Sequence, residues 1–226
     1  MSKNDAHEAK RATRVLIVDD HPVVREGLAL RISRQPDLQV CGEAADIAEA
    51  MRAVEATNPD VAIVDIALRT GNGIDLIKRL KTRHESVRIL VWSMYNESLY
   101  AERAMRAGAM GFINKEHATD QIITAIRRVL DGKVYLSESM ADRLLNRAIG
   151  RNGESAESSP VESLSDRELE VFQCIGQGLD TQQVAQRMHV SPKTVETYRA
   201  RIKEKLNLSS GTELIRLAVQ WVLENS

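Results

Sequence analysis

The sequence has few of the residues that form disulfide frameworks or soft metal sites. It contains 2 cysteines in 226 residues, Cys41 and Cys174, and their wide separation matches no metal-ligand spacing. This scarcity excludes a disulfide-stabilised secreted domain and a cysteine zinc centre. We expect both thiols to be reduced, packed side chains of a cytoplasmic protein.

The chain also lacks a long apolar run and an excess of charge of one sign. No stretch is long enough to cross a membrane. Residues 1–13 are polar and have no apolar signal-peptide core, so we expect a disordered leader there. The 31 Lys and Arg residues nearly balance the 32 Asp and Glu residues, which gives a formal net charge of −1. Nucleic-acid binding would therefore need a local basic patch.

Between residues 15 and 131, short β-branched runs alternate with helical patterns. Strands are predicted at 15–18, 37–44, within the stretch 59–68 that contains Asp65, and at 88–93 and 111–115. Helical patterns fill the intervals, with a helix cap predicted at Asp46 and a flexible loop predicted at Gly71 and Gly73. This order predicts a doubly wound α/β domain, with a five-stranded parallel sheet covered by helices on both faces.

Polar side chains stand where four of these strands end, namely at Asp19, Asp20, Asp65, Ser93 and Lys115. The carboxyl ends of parallel strands meet at one edge of the sheet, where ligands bind. Clustered carboxylates repel one another unless a cation lies between them, and oxygen ligands suit Mg²⁺. A lysine there would pair with an anion. Taken singly, each residue also fits an ordinary helix cap, strand-end hydroxyl or solvated charge.

The second half of the chain is predicted to be a linker followed by four helices. Residues 133–163 predict a linker, with a helix at 138–149 and a flexible polar tether at 150–163. The four helices are predicted from the cap Ser165-x-x-Glu168 to Gly176, at 181–188, from the cap Ser191-Pro192 to 206, and at 212–224. This half therefore predicts an all-α domain.

The third of these helices is rich in cations. It carries Lys193, Arg199, Arg201, Lys203 and Lys205 against Glu196 and Glu204. Two short helices joined by a tight turn, with the cations on the second, are typical of helix-turn-helix DNA binding. A solvated charged surface is the alternative interpretation.

Residues 15 to about 131 resemble the receiver domain of two-component response regulators. The matching pieces are VLIVDD, IVDIAL, the VWS strand and the GFINK strand. The resemblance implies that Asp65 accepts a phosphoryl group and that Ser93 and Lys115 contact this group. It also implies that Phe112 is the switch aromatic, which turns inward when Ser93 moves.

The same resemblance implies a Mg²⁺ site made by Asp20 directly, Asp19 mostly through water, Asp65 and the backbone carbonyl of Ala67. The chain departs from the family at four positions nearby. Arg69 and Glu116 stand where many receivers have proline, and the second change disfavours a cis peptide. Ala67 and Tyr95 flank the expected phosphoryl group, and neither side chain is a carboxylate or amide.

Residues 164–226 resemble the LuxR-type DNA-binding domain, through LSDRELEVF, VAQRMHVSPKTVETYRARIKEKL and the closing helix. The whole chain thereby resembles the NarL/FixJ class of response regulators. By this resemblance, the residues at the major groove or its backbone edge are Lys193, Thr194, Glu196, Thr197 and Ala200. The residues nearer phosphates are Arg199, Arg201 and Lys205. Gln183 replaces a glutamate that is common in the family.

The sequence therefore predicts a cytoplasmic, phosphorylation-controlled transcription factor and not an enzyme with an external substrate. The expected parts are a leader (1–13), a receiver (14–132), a linker and tether (133–163) and a DNA-binding domain (164–226). Expected partners are a sensor histidine kinase, double-stranded promoter DNA, RNA polymerase and a second copy when phosphorylated. The rival is an Asp-nucleophile phosphatase, which usually has a second Asp at the position of Ala67. A regulator that works without phosphorylation is a further alternative.

Overall fold

The computed structural model describes residues 11–68, 70–116, 121–149 and 160–224, so most of the expected leader and tether lies outside it. The strands are β1 Thr13–Val18, β2 Leu38–Ala44, β3 Val61–Val64, β4 Arg88–Ser93 and β5 Gly111–Asn114. The first helices are α1 Pro22–Ser33, α2 Ile47–Thr57, α3 Gly73–Arg83, α4 Glu97–Ala107, α5 Ile122–Leu130 and α6 Glu138–Ala148. After a 3₁₀ turn at Pro160–Ser163 come α7 Asp166–Gly176, α8 Thr181–Met188, α9 Pro192–Lys205 and α10 Gly211–Glu224.

The five strands form one parallel sheet in the order β2-β1-β3-β4-β5. Strand β3 lies at the centre, with Val15 opposite Val61 and Val64 opposite Val91. This architecture confirms the predicted doubly wound domain. Because the chain order reverses beside β1, the crevice at the carboxyl ends of β1 and β3 is the expected ligand position.

Both faces of the sheet are buried, as the continuous apolar strands require. All four residues of β3 are buried. On one face, Leu28 of α1 and Ile126 of α5 pack over the sheet. On the other, α2, α3 and α4 pack through residues such as Leu76 and Tyr100. A parallel sheet is stable only with this double cover, because neither side is polar enough to face water.

Several helices begin at the side-chain caps that the sequence predicts. The Asp46 carboxylate accepts from the amide of Glu49 at the start of α2. Ser165 and Glu168 form the predicted capping box of α7. Pro192 is the first residue of α9, as predicted, and the Ser191 hydroxyl accepts from the amide of Thr194. Each cap satisfies backbone donors that have no partner within the helix.

The C-terminal helices pack closely on one another, and their buried residues are continuous with the apolar cluster on one face of the receiver. Phe172 of α7 meets Trp221 of α10 edge to face, with ring centroids 5.9 Å apart. A Cβ at Gly176 would lie 2.4 Å from the carbonyl oxygen of Ala218, so only glycine lets α7 and α10 approach this closely. Gln183, which was predicted to keep its hydrogen bonding, accepts from the amide of Asp180 at 2.9 Å. No helix in the described ranges has both the length and the apolar character needed to span a membrane.

The structure corrects, for Gly73, the prediction that Gly71 and Gly73 form a flexible loop, whereas Gly71 does lie between β3 and α3. Gly73 is the first residue of α3, and its amide donates to the carbonyl oxygen of Ile66. A Cβ at Gly73 would lie 2.1 Å from the carbonyl oxygen of Asp65. The glycine therefore permits a close backbone approach beside the acidic residue. The fifth strand ends at Asn114, one residue before the lysine that was predicted to end it.

Candidate functional site

Asp65 lies directly after β3, at the carboxyl edge of the sheet. Its amide donates to the carbonyl oxygen of Val18 at 2.8 Å, which continues the ladder between β1 and β3. The residue is only 3% exposed. The fold thus holds one carboxylate at the sheet edge through the backbone of two buried strands.

Two other side chains and one backbone amide converge on Asp65 and on the nearby Asp19. The Ser93 hydroxyl donates to Oδ1 of Asp65 at 2.6 Å. Nζ of Lys115 donates to Oδ2 of Asp65 and to Oδ2 of Asp19, both at 2.5 Å. The amide of Ala67 also donates to Oδ1 of Asp65 at 3.2 Å. Residues from the ends of four strands therefore meet in one place, as the parallel sheet predicts.

The acidic residues at this edge form a cluster suited to a hard cation. Asp19, Asp20, His21 and Asp65 each offer a ligand atom, and these atoms lie within 4.8 Å of one another. Within the described ranges, the buried Oδ1 of Asp20 has no hydrogen-bond partner, although Nδ1 of His21 lies 2.8 Å away. A buried carboxylate oxygen without a partner is costly unless a cation meets it. The donor set fits Mg²⁺.

Burial and ion pairing act in opposite directions on the two central groups. Burial raises the pKa of Asp65, although Lys115 and Ser93 favour its ionised form. Burial disfavours the charge of Lys115, but the attraction of Asp65 and the hydrogen bonds to both carboxylates outweigh it and raise the lysine pKa. Lys115 therefore stays protonated at neutral pH, and a second cation would help to keep Asp65 ionised.

Aromatic residues extend from this edge into the surrounding structure. Phe112, on β5, is 1% exposed and lies in the core with the apolar residues of α3 and α4. Tyr95 follows Ser93 in the chain and stacks on Tyr100 of α4, with ring centroids 4.5 Å apart. Phe112 thus lies inside the core, and a tyrosine pair lies beside the site.

Helices α8 and α9 form the predicted helix-turn-helix. His189 ends α8 in a left-handed conformation, with φ of 52°, and the chain turns into α9 at Ser191. Val195 and Ile202 of α9 face the core. The opposite side is exposed and includes Lys193, Glu196, Thr197, Ala200 and Arg201. The residues predicted to face the groove therefore share one open surface, apart from the half-buried Thr194.

Two of the predicted phosphate-binding cations are held by acidic residues of this domain. Nζ of Lys205 donates to Oε2 of Glu168 at 2.6 Å. This ion pair and the bonds from Ser165 outweigh burial and lower the pKa of Glu168. Nε of Arg199 is 3.7 Å from Oε1 of Glu196. Lys205 thus joins α9 to α7, whereas Arg201 points to solvent, with no ion pair to a described residue.

The described structure also shows contacts that the sequence did not predict. His21 lies beside the acidic cluster. In α7, every residue from Glu168 to Ile175 is buried, and the helix contacts the α/β domain through Glu170 and Gln173. One feature of the sequence could have indicated this contact: Glu170 and Gln173 are polar residues between apolar neighbours on the same helix. Such a pattern indicates that the polar residues pack against another polar surface, but it does not identify that surface.

Comparison with known proteins assigns both domains. Residues 15–127 match the family described as response regulator receiver domain. Residues 162–218 match bacterial regulatory proteins, luxR family. The chain is 35% identical to the oxygen regulatory protein NreC of Staphylococcus carnosus, over 92% of this chain and 97% of NreC.

Solved structures show the same fold. RcsB of Salmonella enterica serovar Typhimurium, bound to promoter rprA with a phosphomimetic, has a TM-score of 0.63 at 24% identity, covering 91% of this chain and 97% of RcsB. A structure of two RcsB dimers on two parallel DNAs has a TM-score of 0.56 at 25% identity, covering 95% and 98%. The relatives are transcriptional regulators and not phosphatases. The chain belongs to the two-component response regulators that join a receiver domain to a LuxR-type helix-turn-helix domain.

Proposed function

We propose that this protein accepts a phosphoryl group on Asp65 from a sensor histidine kinase and thereby controls its binding to promoter DNA. The observation that carries the proposal is the convergence of Ser93 and Lys115 on a buried, strand-end carboxylate. A purely structural aspartate needs no such set of partners. The proposed segments remain a leader (1–13), a receiver (14–132), a linker (133–163) and a DNA-binding domain (164–226).

In the proposed reaction, a carboxylate oxygen of Asp65 attacks the phosphorus of a phosphohistidine. A new O–P bond forms, the P–N bond breaks, and the imidazole leaves with the electron pair and takes up a proton. Lys115, which bridges Asp65 and Asp19, turns to the phosphoryl oxygens as a point charge. The Ser93 hydroxyl, now bonded to Asp65, donates to the same group. Positioning and charge stabilisation account for most of such a transfer.

Mg²⁺ is the proposed cofactor. Asp20, Asp65 and the backbone carbonyl of Ala67 would hold it, with Asp19 acting mostly through water. When bound, the ion neutralises charge that develops on the transferring phosphoryl oxygens. Oδ1 of Asp20 supports this assignment, since it is buried and accepts no hydrogen bond from the described residues, and His21 is the one described side chain paired with it.

The DNA-binding surface is proposed to be the exposed side of α9, with Lys193, Glu196, Thr197 and Ala200 toward the groove and Arg201 toward phosphates. The dimers of RcsB on DNA support binding of this chain as a homodimer. The proposed binding to promoter DNA supports a cytoplasmic location, and RNA polymerase is a further proposed partner.

The test is phosphoryl uptake by Asp65→Asn, with Asp60→Asn as a matched control at the other end of β3. Asp60 accepts a hydrogen bond from the amide of Arg14 and lies away from the acidic cluster. With acetyl phosphate and Mg²⁺, we expect wild type and the Asp60 variant to be phosphorylated and the Asp65 variant not to be. Phosphate-affinity electrophoresis measures the uptake. Equal uptake by both variants would place the acceptor elsewhere, and no uptake by wild type would favour a regulator independent of phosphorylation.

A further inference from the structure

Helix α7 of the DNA-binding domain contacts the receiver through the loop that follows β3 and through α4, the helix that follows β4. The first contact is made by Asn72, which is 1% exposed and whose Nδ2 donates to Oε2 of Glu170 at 3.2 Å. The position of Asn72 is fixed by the receiver, because its Oδ1 caps α3 and its backbone forms a β-bridge with Ala67. Helix α7 thus rests on a side chain that the segment after Asp65 holds in place.

The second contact runs from Ser93 through a pair of tyrosines. The amide of Tyr95 is 3.5 Å from the Ser93 hydroxyl oxygen, and the Tyr95 ring stacks on Tyr100. The Tyr100 hydroxyl donates to Oε1 of Gln173 at 2.8 Å, in a buried position. A continuous series of contacts, made of two stacked rings and one hydrogen bond, therefore connects the segment at Ser93 to α7.

Ion pairs surround these two buried contacts. Asp166 of α7 accepts from Lys78 at 2.9 Å and from Arg103 at 3.1 Å. Arg167 donates to Asp75 of α3 at 3.2 Å. The receiver thus contacts α7 from Asp166 to Gln173 through hydrogen bonds and ion pairs, beside a buried apolar cluster to which residues of both domains belong.

The described residues of the receiver do not cover the predicted recognition helix, α9. The outer residues of α9 are exposed, among them Glu196, Thr197 and Arg201. The buried surface belongs to α7, and the polar residues Glu170 and Gln173 are each less than one-tenth exposed. The receiver can therefore contact the DNA-binding domain while α9 stays accessible to DNA.

We propose that the receiver restrains the DNA-binding domain by holding α7 while leaving the recognition helix open, and that phosphorylation of Asp65 releases α7. We call the Asn72–Glu170 and Tyr100–Gln173 contacts the α7 latch. The release step rests on the proposed function, whereas the latch itself does not. A phosphoryl oxygen that takes the Ser93 hydroxyl away from Oδ1 of Asp65 also shifts Tyr95, and the stacked Tyr100 then loses Gln173. Phosphorylation then controls how the two domains are arranged when the protein is on DNA. It does not control whether α9 can reach a single half-site.

The chain carries a native probe of the latch. Cys174 is 3% exposed and follows Gln173 on α7. Burial is the main reason that the pKa of the Tyr95 phenol is raised, and Cys174 is among the groups that add to it. Cys41 lies on β2, is half-buried, and provides an internal reference. Labelling of the unphosphorylated full-length protein with a maleimide, resolved by peptide mass spectrometry, gives a separate rate for each thiol.

Tyr100→Phe removes one latch hydrogen bond and keeps the ring stack. Tyr135→Phe is the matched control, because the Tyr135 hydroxyl donates to Gln121 at 2.7 Å on the exposed surface. We expect Tyr100→Phe to raise the Cys174 labelling rate about fivefold or more, because Gln173 would keep a buried acceptor without a partner. The Cys41 rate should not change in either variant. Equal Cys174 rates in the two variants would overturn the latch.

DNA binding separates a latch from masking of the recognition helix. The probe is a mixed-sequence duplex of about 14 base pairs at low salt, followed by fluorescence anisotropy, since phosphate contacts dominate such binding. We expect unphosphorylated wild type and Tyr100→Phe to bind within about twofold of each other, because α9 is open in both. The alternative outcome is that Tyr100→Phe binds the duplex more tightly than wild type, by the same factor as the increase in its Cys174 labelling rate. In that case the recognition helix is masked in wild type and the proposal is wrong.

The last step measures release after treatment with acetyl phosphate and Mg²⁺, with phosphoryl content determined in the same samples. We expect Cys174 labelling to rise in proportion to phosphoryl content in wild type and to stay constant in Asp65→Asn. Phosphoryl uptake without faster labelling would overturn the release step and leave the proposed function intact. Absence of uptake would overturn the proposed function and the release step together, while the Tyr100 comparison would still decide the latch.

Discussion

Removal of Lys115 tests the charge balance at the carboxyl edge of the sheet. Its Nζ bridges Asp65 and Asp19, and the side chains of all three residues are at most 8% exposed. Lys115→Met keeps the aliphatic length but leaves two buried carboxylates without their cation. The result should be a receiver that is less stable whenever both carboxylates are ionised.

The expected magnitude follows from the remaining contacts. Breaking a buried ion pair by removing one partner costs about 3–5 kcal/mol. The lower end applies here, because the Ser93 hydroxyl still donates to Asp65 and the amide of His21 still donates to Asp19 at 2.8 Å. A loss of about 3 kcal/mol corresponds to about a hundredfold change in the unfolding equilibrium.

Urea unfolding followed by circular dichroism measures the loss, in EDTA and in Mg²⁺. Mg²⁺ should restore more stability to Lys115→Met than it adds to wild type, because the ion replaces the missing positive charge. Lys133→Met removes an exposed lysine and should change stability by less than about 0.5 kcal/mol. The deficit of the Lys115 variant should shrink as pH falls, since burial raises the pKa of Asp65 and protonation removes the unpaired charge. A deficit that is independent of pH and Mg²⁺ would refute this account.

Three further predictions concern the backbone, the DNA surface and the lifetime of the phosphorylated form. Gly73→Ala should destabilise the receiver by about 2 kcal/mol or more, because its Cβ would lie 2.1 Å from a backbone oxygen; Gly27→Ala, with nothing within 4 Å, is the control in urea unfolding. Arg201→Ala should weaken binding to all duplexes alike and flatten the plot of log affinity against log salt by about 0.9, as anisotropy in a salt series would show. Phosphorylated wild type should hydrolyse more slowly than an Ala67→Asn, Tyr95→Glu variant in a time course, because neither native side chain positions the attacking water as a carboxylate or amide would.

The sheet and its acidic edge were predictable because the signals are local and repeated. Each strand is a short apolar run between turn residues, and the parallel arrangement brings the residues after β1, β3, β4 and β5 together. The strand order alone therefore predicts the cluster of Asp19, Asp65, Ser93 and Lys115 that the structure shows. The caps at Ser165 and Ser191 were equally local, since each side chain bonds an amide three residues later.

The predictions failed where partners are distant in sequence or where one residue serves two purposes. Tyr100 and Gln173 are 73 positions apart, and no periodicity in α4 or α7 indicates that they meet. Gly73 was predicted to loosen a loop because glycine often does, yet here it permits a close backbone contact. Lys205 was assigned to DNA by the resemblance to the LuxR-type domain, and that assignment stays a prediction; the sequence did not indicate that Glu168 also lies within hydrogen-bond distance.

The composition of the interface indicates how strongly the latch can hold. A hydrogen bond contributes about 0.5–1.5 kcal/mol net, and exposed ion pairs contribute less than about 1 kcal/mol. The contacts of α7 with Asn72 and Tyr100 therefore contribute a few kcal/mol at most, beside the buried apolar cluster to which both domains contribute. Couplings of about 1–3 kcal/mol are typical between two sites in one protein, so we expect a single phosphoryl group at Asp65 to be sufficient to break contacts of this size. The two contacts also give a physical reason for the polar residues Glu170 and Gln173 on a helix that is otherwise packed in a core.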